Sequence, residues 1–374
     1  MNYPEYTLYT PGPTEIPKAI KDVLGICPPY YHGDSDFFNL MKDVVYPGLR
    51  YVFQTDENVY PLSCSGTGAM QIAASNLINP DGCDEVLVLK GGRFGQRWTD
   101  ICRGIGSDVD ELYFSIFGMQ ALDDLTDRLK KKTYDIVFLQ HVETSTGALL
   151  PVKEITDLIK EHNSGCLVVV DAISSLLVEQ LSQDAWEIDC IVGASQKAFQ
   201  LPSGLSFISF SKAAQARASE VRRRSQGGGE FYFNLPLERD KYYPKGQTQF
   251  TPNIQCLVAL AEAFRLLGDG NYLFKLWVDV AKRKRSVMMA LSELGYEVDT
   301  DQRQTRGMVI LFSKTPKDLR HFLKESYGCL ISGAPDSLSG IAVRISTMGW
   351  SVPDNHYINL LRGLKAYKEI ENEK

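Results

Sequence analysis

In Gly193–Phe199, GASQKAF, a lysine follows the apolar run IDCIVGA at 188–194, which reads as a buried strand. Lysines are seldom buried, so Lys197 either reaches solvent on its apolar stem or is a reactive amine held out of water. A second outlier lies one strand earlier. Asp171 ends the apolar run LVVVD at 167–171, where a carboxylate is costly unless it caps a helix, joins an ion pair or serves a ligand. The third is SCSGTGAM at 63–70, where a strand runs into a helix through two glycines, so that backbone N–H groups and the helix dipole converge. That turn suits a phosphate. It has neither GxGxxG nor GK[ST], however, and a glycine turn capped by Ser65 or Thr67 fits the same letters. Each feature alone has a bland explanation. Together, a phosphate cradle, a buried acid and a buried lysine at strand ends supply what pyridoxal phosphate requires. The phosphate is held, the ring nitrogen is kept protonated by the acid, and the aldehyde meets an amine.

The elements that must position these residues are six candidate strands at 58–64, 85–91, 134–141, 166–172, 188–194 and 205–211, with helix patterns at 68–78, 94–105 and 151–163 between them. Strands rich in Val, Ile and Leu on both faces, separated by helices, predict an α/β fold with a mainly parallel sheet covered by helices on both faces. Ligands of such sheets bind beyond the carboxyl ends of the strands, where all three features fall. From about 212 the regularity fails: RRRSQGGGE at 222–230 reads as an exposed, mobile loop and YYPKGQTQFTPN at 242–253 as extended chain. Helices at 254–267 and 271–294 follow, then strands at 308–313 and 341–346 around the helix PKDLRHFLKESYG, which predicts a small α+β carboxy-terminal domain. We expect an extended amino-terminal segment over 1–14, a large cofactor-binding domain over 15–268 and the small domain over 269–374, since 374 residues exceed what one core organises.

Composition narrows the function further. A net charge of -6, with forty Lys and Arg spread along the chain, argues against a nucleic-acid partner. The eight cysteines are dispersed without CxxC pairing, which predicts a reducing compartment and no structural metal. The start MNYPEYTLYTPGPTEIP is unlike a signal peptide and no run of about eighteen apolar residues occurs, so a cytoplasmic location and no membrane partner are expected.

The chain resembles the class V aminotransferases of fold type I, and within them the alanine-glyoxylate and serine-pyruvate aminotransferase group. The resemblance covers nearly the whole chain and is carried by TPGPTEIP (10–17), YVFQT (51–55), SGTGAM (65–70), GGRFGQRWTDI (91–101), HVETSTGALLPV (141–152), VVDAISSL (169–176), GASQKAF (193–199), TPNI (251–254) and VRISTMG (343–349). It implies the fold type I architecture of pyridoxal-phosphate transferases, with Lys197 as the Schiff-base lysine and Asp171 as the partner of the pyridinium nitrogen. Phe94 matches the aromatic residue that stacks on the cofactor, and Thr144 the hydroxyl residue that bonds its phenolic oxygen. Thr67, Gly68, Ala69 and Gln196 match the phosphate cradle. Some members carry a larger polar residue where this chain has Ala69, which leaves the cradle leaning on backbone groups. Thr251 and Thr248 match residues that reach the phosphate from the other subunit of a homodimer; position 248 is Tyr in some relatives.

Arg344 resembles the binder of the substrate carboxylate, and the local pattern agrees. In IAVRIS, Ile341, Val343 and Ile345 alternate with Ala342, Arg344 and Ser346, so Arg344 projects from the face opposite the packed one. Its planar fork can grip a carboxylate through two parallel bonds. The activity implied is transfer of an amino group from a small amino acid to a 2-oxo acid such as glyoxylate or pyruvate, with the Lys197 amine as tether and proton carrier. Relatives often have an HR pair where this chain has His32-Gly33, so small donors such as alanine, serine or glycine are expected over larger acidic ones. Two alternatives stay open. One is a cysteine desulfurase of the same fold using Cys329 on a mobile loop, although that group has histidines where this chain has Phe94 and Gln196. The other is a non-catalytic protein that retains the cofactor.

Overall fold

The computed structural model describes residues 5–113, 120–224, 231–268, 270–301 and 303–373. Its central sheet has seven strands: β1 (Val59–Leu62), β2 (Val86–Lys90), β3 (Val109–Tyr113), β4 (Ile136–Gln140), β5 (Leu167–Asp171), β6 (Cys190–Ala194) and β7 (Ser206–Phe210). They lie in the order β1-β7-β6-β5-β4-β2-β3. β7 runs antiparallel to both neighbours and the remaining pairs are parallel. Side chains alternate between two cores. Leu87, Leu89, Val137, Leu139, Val168, Val170 and Ile191 pack on one face with the helices Val152–His162 and Ile254–Leu267. Val86, Val88, Ile136, Phe138, Val169, Val192 and Ile208 pack on the other, under α1 (Gly66–Leu77) and α2 (Arg93–Gly104). Burial on both faces explains why β4, β5 and β6 read as unbroken apolar runs.

A small antiparallel sheet follows, formed by β8 (Met308–Phe312), β9 (Ser332–Gly333) and β10 (Ala342–Ser346) in the order β8-β10-β9. Val343 and Ile345 pack into a core with Val287, Leu291, Leu319, Leu360 and Leu364. The opposite face of β10 is not bare: Ala342 joins Met308, Ile310 and Ala334 in a smaller cluster, beside which Arg344 stands half-buried. The amino-terminal segment is anchored here. Thr7–Leu8 pairs in parallel with Cys329–Leu330, and the Ser346 amide donates to the Tyr9 carbonyl at 2.7 Å.

Three sequence expectations need correction. β3 was absent from the expected strands because VDELY lies at the sheet edge, partly exposed along its length, and so shows no apolar run. Arg222, Arg223 and Arg224 form the last turn of the helix Lys212–Arg224, where cations suit the helix dipole, and not the start of a loop; residues 225–230 lie outside the described residues. Within the stretch expected to be extended, Tyr243–Lys245 forms a short helical turn and extended chain resumes only beyond it.

Candidate active site

The register of the sheet gathers the unusual residues at one edge. Leu62 pairs with Ser206 and Ser206 with Ala194, so the turns after β1 and β6 leave the sheet at the same level. Asp171 pairs with Val192 on one side and Gln140 on the other, which sets it between the Lys197 turn and the segment starting at His141.

Lys197 is 8% exposed. Its Nζ donates to the Pro11 carbonyl at 2.5 Å, and its own carbonyl accepts from the Thr14 hydroxyl at 2.7 Å. Burial first, and then the positive charge of Arg344, bring the amine down to about 8. Gly12 explains the TPGPT motif: a Cβ there would stand 2.5 Å from Nζ, and its φ of +137° disfavours any other residue.

Asp171 is 5% exposed, and one of its oxygens accepts from the Ile173 amide at 2.8 Å. No lysine or arginine comes within ion-pairing distance of it among the described residues. Burial therefore dominates and pushes the carboxyl up to about 7. His141 donates its backbone N–H to the Asp171 carbonyl at 2.9 Å. Its ring is buried against Trp186 with Nδ1 unpartnered among the described residues, and burial drives it down to about 3, so it stays neutral.

Phe94 is placed by a carboxylate that the sequence reading passed over. Gly92 brings no side-chain cap to α2, and Glu143 supplies one from the segment after β4. One Glu143 oxygen accepts from the Phe94 and Gly95 amides at 2.8 and 3.3 Å; the other accepts from the Ser145 amide and hydroxyl at 3.0 and 2.6 Å. Four donors satisfy a fully buried carboxylate and fix the first turn of α2. The Arg97 guanidinium carbon lies 4.9 Å from the Phe94 ring centroid, and its Nη1 donates to the Thr67 hydroxyl at 3.0 Å.

At the start of α1, Ser65 Oγ accepts from the Gly68 amide at 3.3 Å, while the Gly66 and Thr67 amides have no acceptor among the described residues. A Cβ on Gly66 would meet Ile173 at 2.5 Å, and one on Gly68 would meet Cys64 at 2.8 Å, so both glycines permit close packing. Ala69 is fully buried in the first turn. Gln196 Oε1 is buried without a partner among the described residues. Thr144 is 2% exposed; its carbonyl accepts from Arg344 Nη1, whereas its hydroxyl meets nothing among the described residues. Arg344 Nε donates to the Gly333 carbonyl at 3.0 Å, and burial draws the guanidinium down to about 10.

The sheet edge thus brings together Lys197, Asp171, Phe94, Thr144, Arg344 and the Thr67–Ala69 turn with Gln196. It does not bring in Thr248 and Thr251, which line a cleft with Ser63, Tyr232 and Phe250 in which none of the others takes part. Two free helix-end amides, an unpaired buried carboxylate and a desolvated lysine fit the phosphate, ring and aldehyde of pyridoxal phosphate.

The family model for aminotransferase class-V matches residues 48–345. The chain belongs to the class-V aminotransferases. It is 31% identical to an aminotransferase of Methanocaldococcus jannaschii over 91% of this chain and 87% of that protein. To alanine–glyoxylate aminotransferase 1 of Saccharomyces cerevisiae it is 29% identical over 92% of each. Among solved structures, the ureidoglycine-glyoxylate aminotransferase of Bacillus subtilis superposes with a TM-score of 0.89 at 25% identity, covering 100% of this chain and 95% of that one. As a class-V aminotransferase of fold type I, the enzyme uses pyridoxal 5'-phosphate, which supplies an electron sink for the bonds at the substrate's α-carbon.

This class-V aminotransferase does not present Cys329 as a sulfur acceptor. Cys329 is fully buried in the two-residue strand that pairs with Thr7–Leu8, and burial raises its thiol, so it is neither on a mobile loop nor ready to ionise. A cysteine desulfurase of Thermococcus onnurineus shares the fold at a TM-score of 0.69 and 15% identity.

Two outcomes follow for the aminotransferase. Gly12→Ala is expected to push the Lys197 side chain aside and cut turnover about tenfold or more, with the unfolding midpoint in urea moving little by comparison. Asp171 has a folded pKa near 7 against an ordinary 3.8, so the unloaded native state holds an extra proton in that window and loses stability as pH rises through it. Unloaded Asp171→Asn is therefore expected to be more stable than wild type at pH 8, by about 4 kcal/mol at most, and the gain should vanish near pH 4. Urea melts at the two pH values check the sign.

Proposed function

We propose that the enzyme moves the amino group of a small amino acid, alanine, serine or glycine, to glyoxylate or pyruvate. In this reading Lys197 tethers the cofactor through its aldehyde and Asp171 faces the ring nitrogen. Phe94 covers the ring, Thr144 bonds the phenolic oxygen, and Thr67, Gly68, Ala69 and Gln196 hold the phosphate. Arg344 binds the substrate carboxylate. The observation that carries it is a lysine and an unpaired carboxylate buried together beyond the carboxyl ends of the adjacent strands β5 and β6. An amine near 8 can take a proton from the substrate α-carbon and return it at neutral pH. Buried at the end of β5, the Asp171 carboxylate gains strength against any cation placed before it. The hydrogen bond from Arg344 to the Thr144 carbonyl is one a carboxylate can replace with a bidentate, charge-assisted contact.

Two comparisons support the acceptor: relatives from Bacillus subtilis and Saccharomyces cerevisiae are named for transfer to glyoxylate. The small donor is supported by Tyr31 and His32 at a largely exposed turn with Gly33 following, which leaves no arginine there for a second carboxylate. The homodimer is part of the proposal. Thr251 is exposed and Thr248 lies beside it, apart from their own chain's site, as suits residues that complete a neighbour's. So is a cytoplasmic address, which eight free cysteines favour.

The test is a donor screen on purified enzyme loaded with cofactor, following the visible absorbance of the lysine-bound form and the keto acid released. Alanine, serine or glycine with glyoxylate should exceed aspartate and glutamate at least tenfold in kcat/KM. An acidic donor turned over fastest would reverse the substrate assignment, and absorbance unmoved by every donor would remove the aminotransferase reading of the site.

A further inference from the structure

Arg97 is a cation beside the cradle with no anion paired to it among the described residues. It sits three residues after Phe94 on α2, so both side chains share one face of the helix. Its guanidinium lies against the Phe94 ring and donates to the Thr67 hydroxyl. Its neighbour one and a half turns on, Arg103, pairs with Glu111 at 2.9 Å; Arg97 has no carboxylate within that reach among the described residues. It is also only partly exposed. Leaving a half-buried arginine unpaired forfeits charge-assisted bonds that it can readily make, so its position calls for an anion.

The cradle calls for a cation. A phosphate monoester carries about -1.5 to -2 charges at neutral pH. The first turn of α1 offers two free amides and a dipole equivalent to roughly half a charge, and no lysine or arginine occurs between Ser63 and Leu77. Ala69 contributes no polar side chain there. Thr67 marks where the two needs meet. Because its oxygen accepts from Arg97, its own hydrogen is free to donate outward, toward whatever lies at the helix start.

We propose that Arg97 is the counter-charge of the cofactor phosphate, and that by lying on the Phe94 ring it ties the cradle to the stacking platform. This rests on the site reading above and adds a residue to it. Arg97 binds cofactor; it takes no part in moving protons.

Binding of pyridoxal 5'-phosphate and of pyridoxal, which lacks the phosphate, is to be measured on the unloaded full chain for wild type, Arg97→Met and Arg97→Lys. Both ligands offer the same aldehyde and ring, so Lys197 and Phe94 treat them alike. Arg97→Met should weaken the phosphate ester by about thirtyfold or more and leave pyridoxal within about twofold. Arg97→Lys should recover part of the loss, and raising salt should weaken the wild type more steeply than the Met variant. Equal losses for both ligands would show that Arg97 acts only through the ring or the fold and would overturn the proposal, as would no loss for either. Should the variants not fold, phenylglyoxal labelling of wild type decides. Inorganic phosphate should protect Arg97, read by mass spectrometry, and equal labelling with and without phosphate overturns the assignment. Wild type that binds neither ligand would instead refute the site reading itself.

Discussion

The structure turns on a carboxylate that is buried and not paired. Asp171 ends a strand enclosed on both faces, keeps one backbone donor, and has no cation within ion-pairing distance among the described residues. Such a group costs several kcal/mol in a folded protein when ionised. The chain tolerates it by holding the carboxyl near neutrality in its dispensable proton, at a pKa of about 7. A cationic heterocycle placed before it converts that cost into affinity, because the same low-dielectric surroundings that penalise a lone charge strengthen a pair. His141 keeps to this logic: too deeply buried to ionise, it can neither neutralise Asp171 nor compete for it.

Lys197 is destabilised in the opposite sense and by the same means. Burial and Arg344 both disfavour its protonated form, while Asp171 and Glu143 favour it less strongly. The two groups thus move toward each other in pKa, from an ordinary separation of 3.8 and 10.5 to about 7 and 8. Both shifts have burial as their first cause, which disfavours the charged form of either group. The cost in stability is carried by two apolar cores that enclose the sheet from both sides.

The plan of the fold and the ends of its strands were legible in the sequence because they rest on local signals. Runs such as LVVVD and CIVGA announce strands buried on both faces, and a charge at the end of such a run stands out against them. What escaped notice is long-range. Glu143 caps a helix that begins some fifty residues earlier, and no spacing rule connects HVETS to GGRF. Arg97 lies within GGRFGQRWTDI, yet its meaning comes from Thr67, thirty residues away on another helix. β3 has the polar face of an edge strand, which imitates a loop. Arg222–Arg224 were misread because a run of like charges marks a solvated surface equally well on a helix and on a loop.

The amino-terminal segment shows why the small sheet belongs to the site as much as the large one. Tyr9 is bonded on one side to Leu330 and on the other to Ser346, two residues from Arg344 along β10. Two residues further on, Pro11 holds the Lys197 amine, and Thr14 holds the Lys197 carbonyl. One short segment, bent at residues 10–13, therefore bonds both to the strand that carries Arg344 and to the turn that carries Lys197. Hydrogen bonds at both ends of this segment hold the backbone that carries Arg344 in place relative to the backbone that carries Lys197.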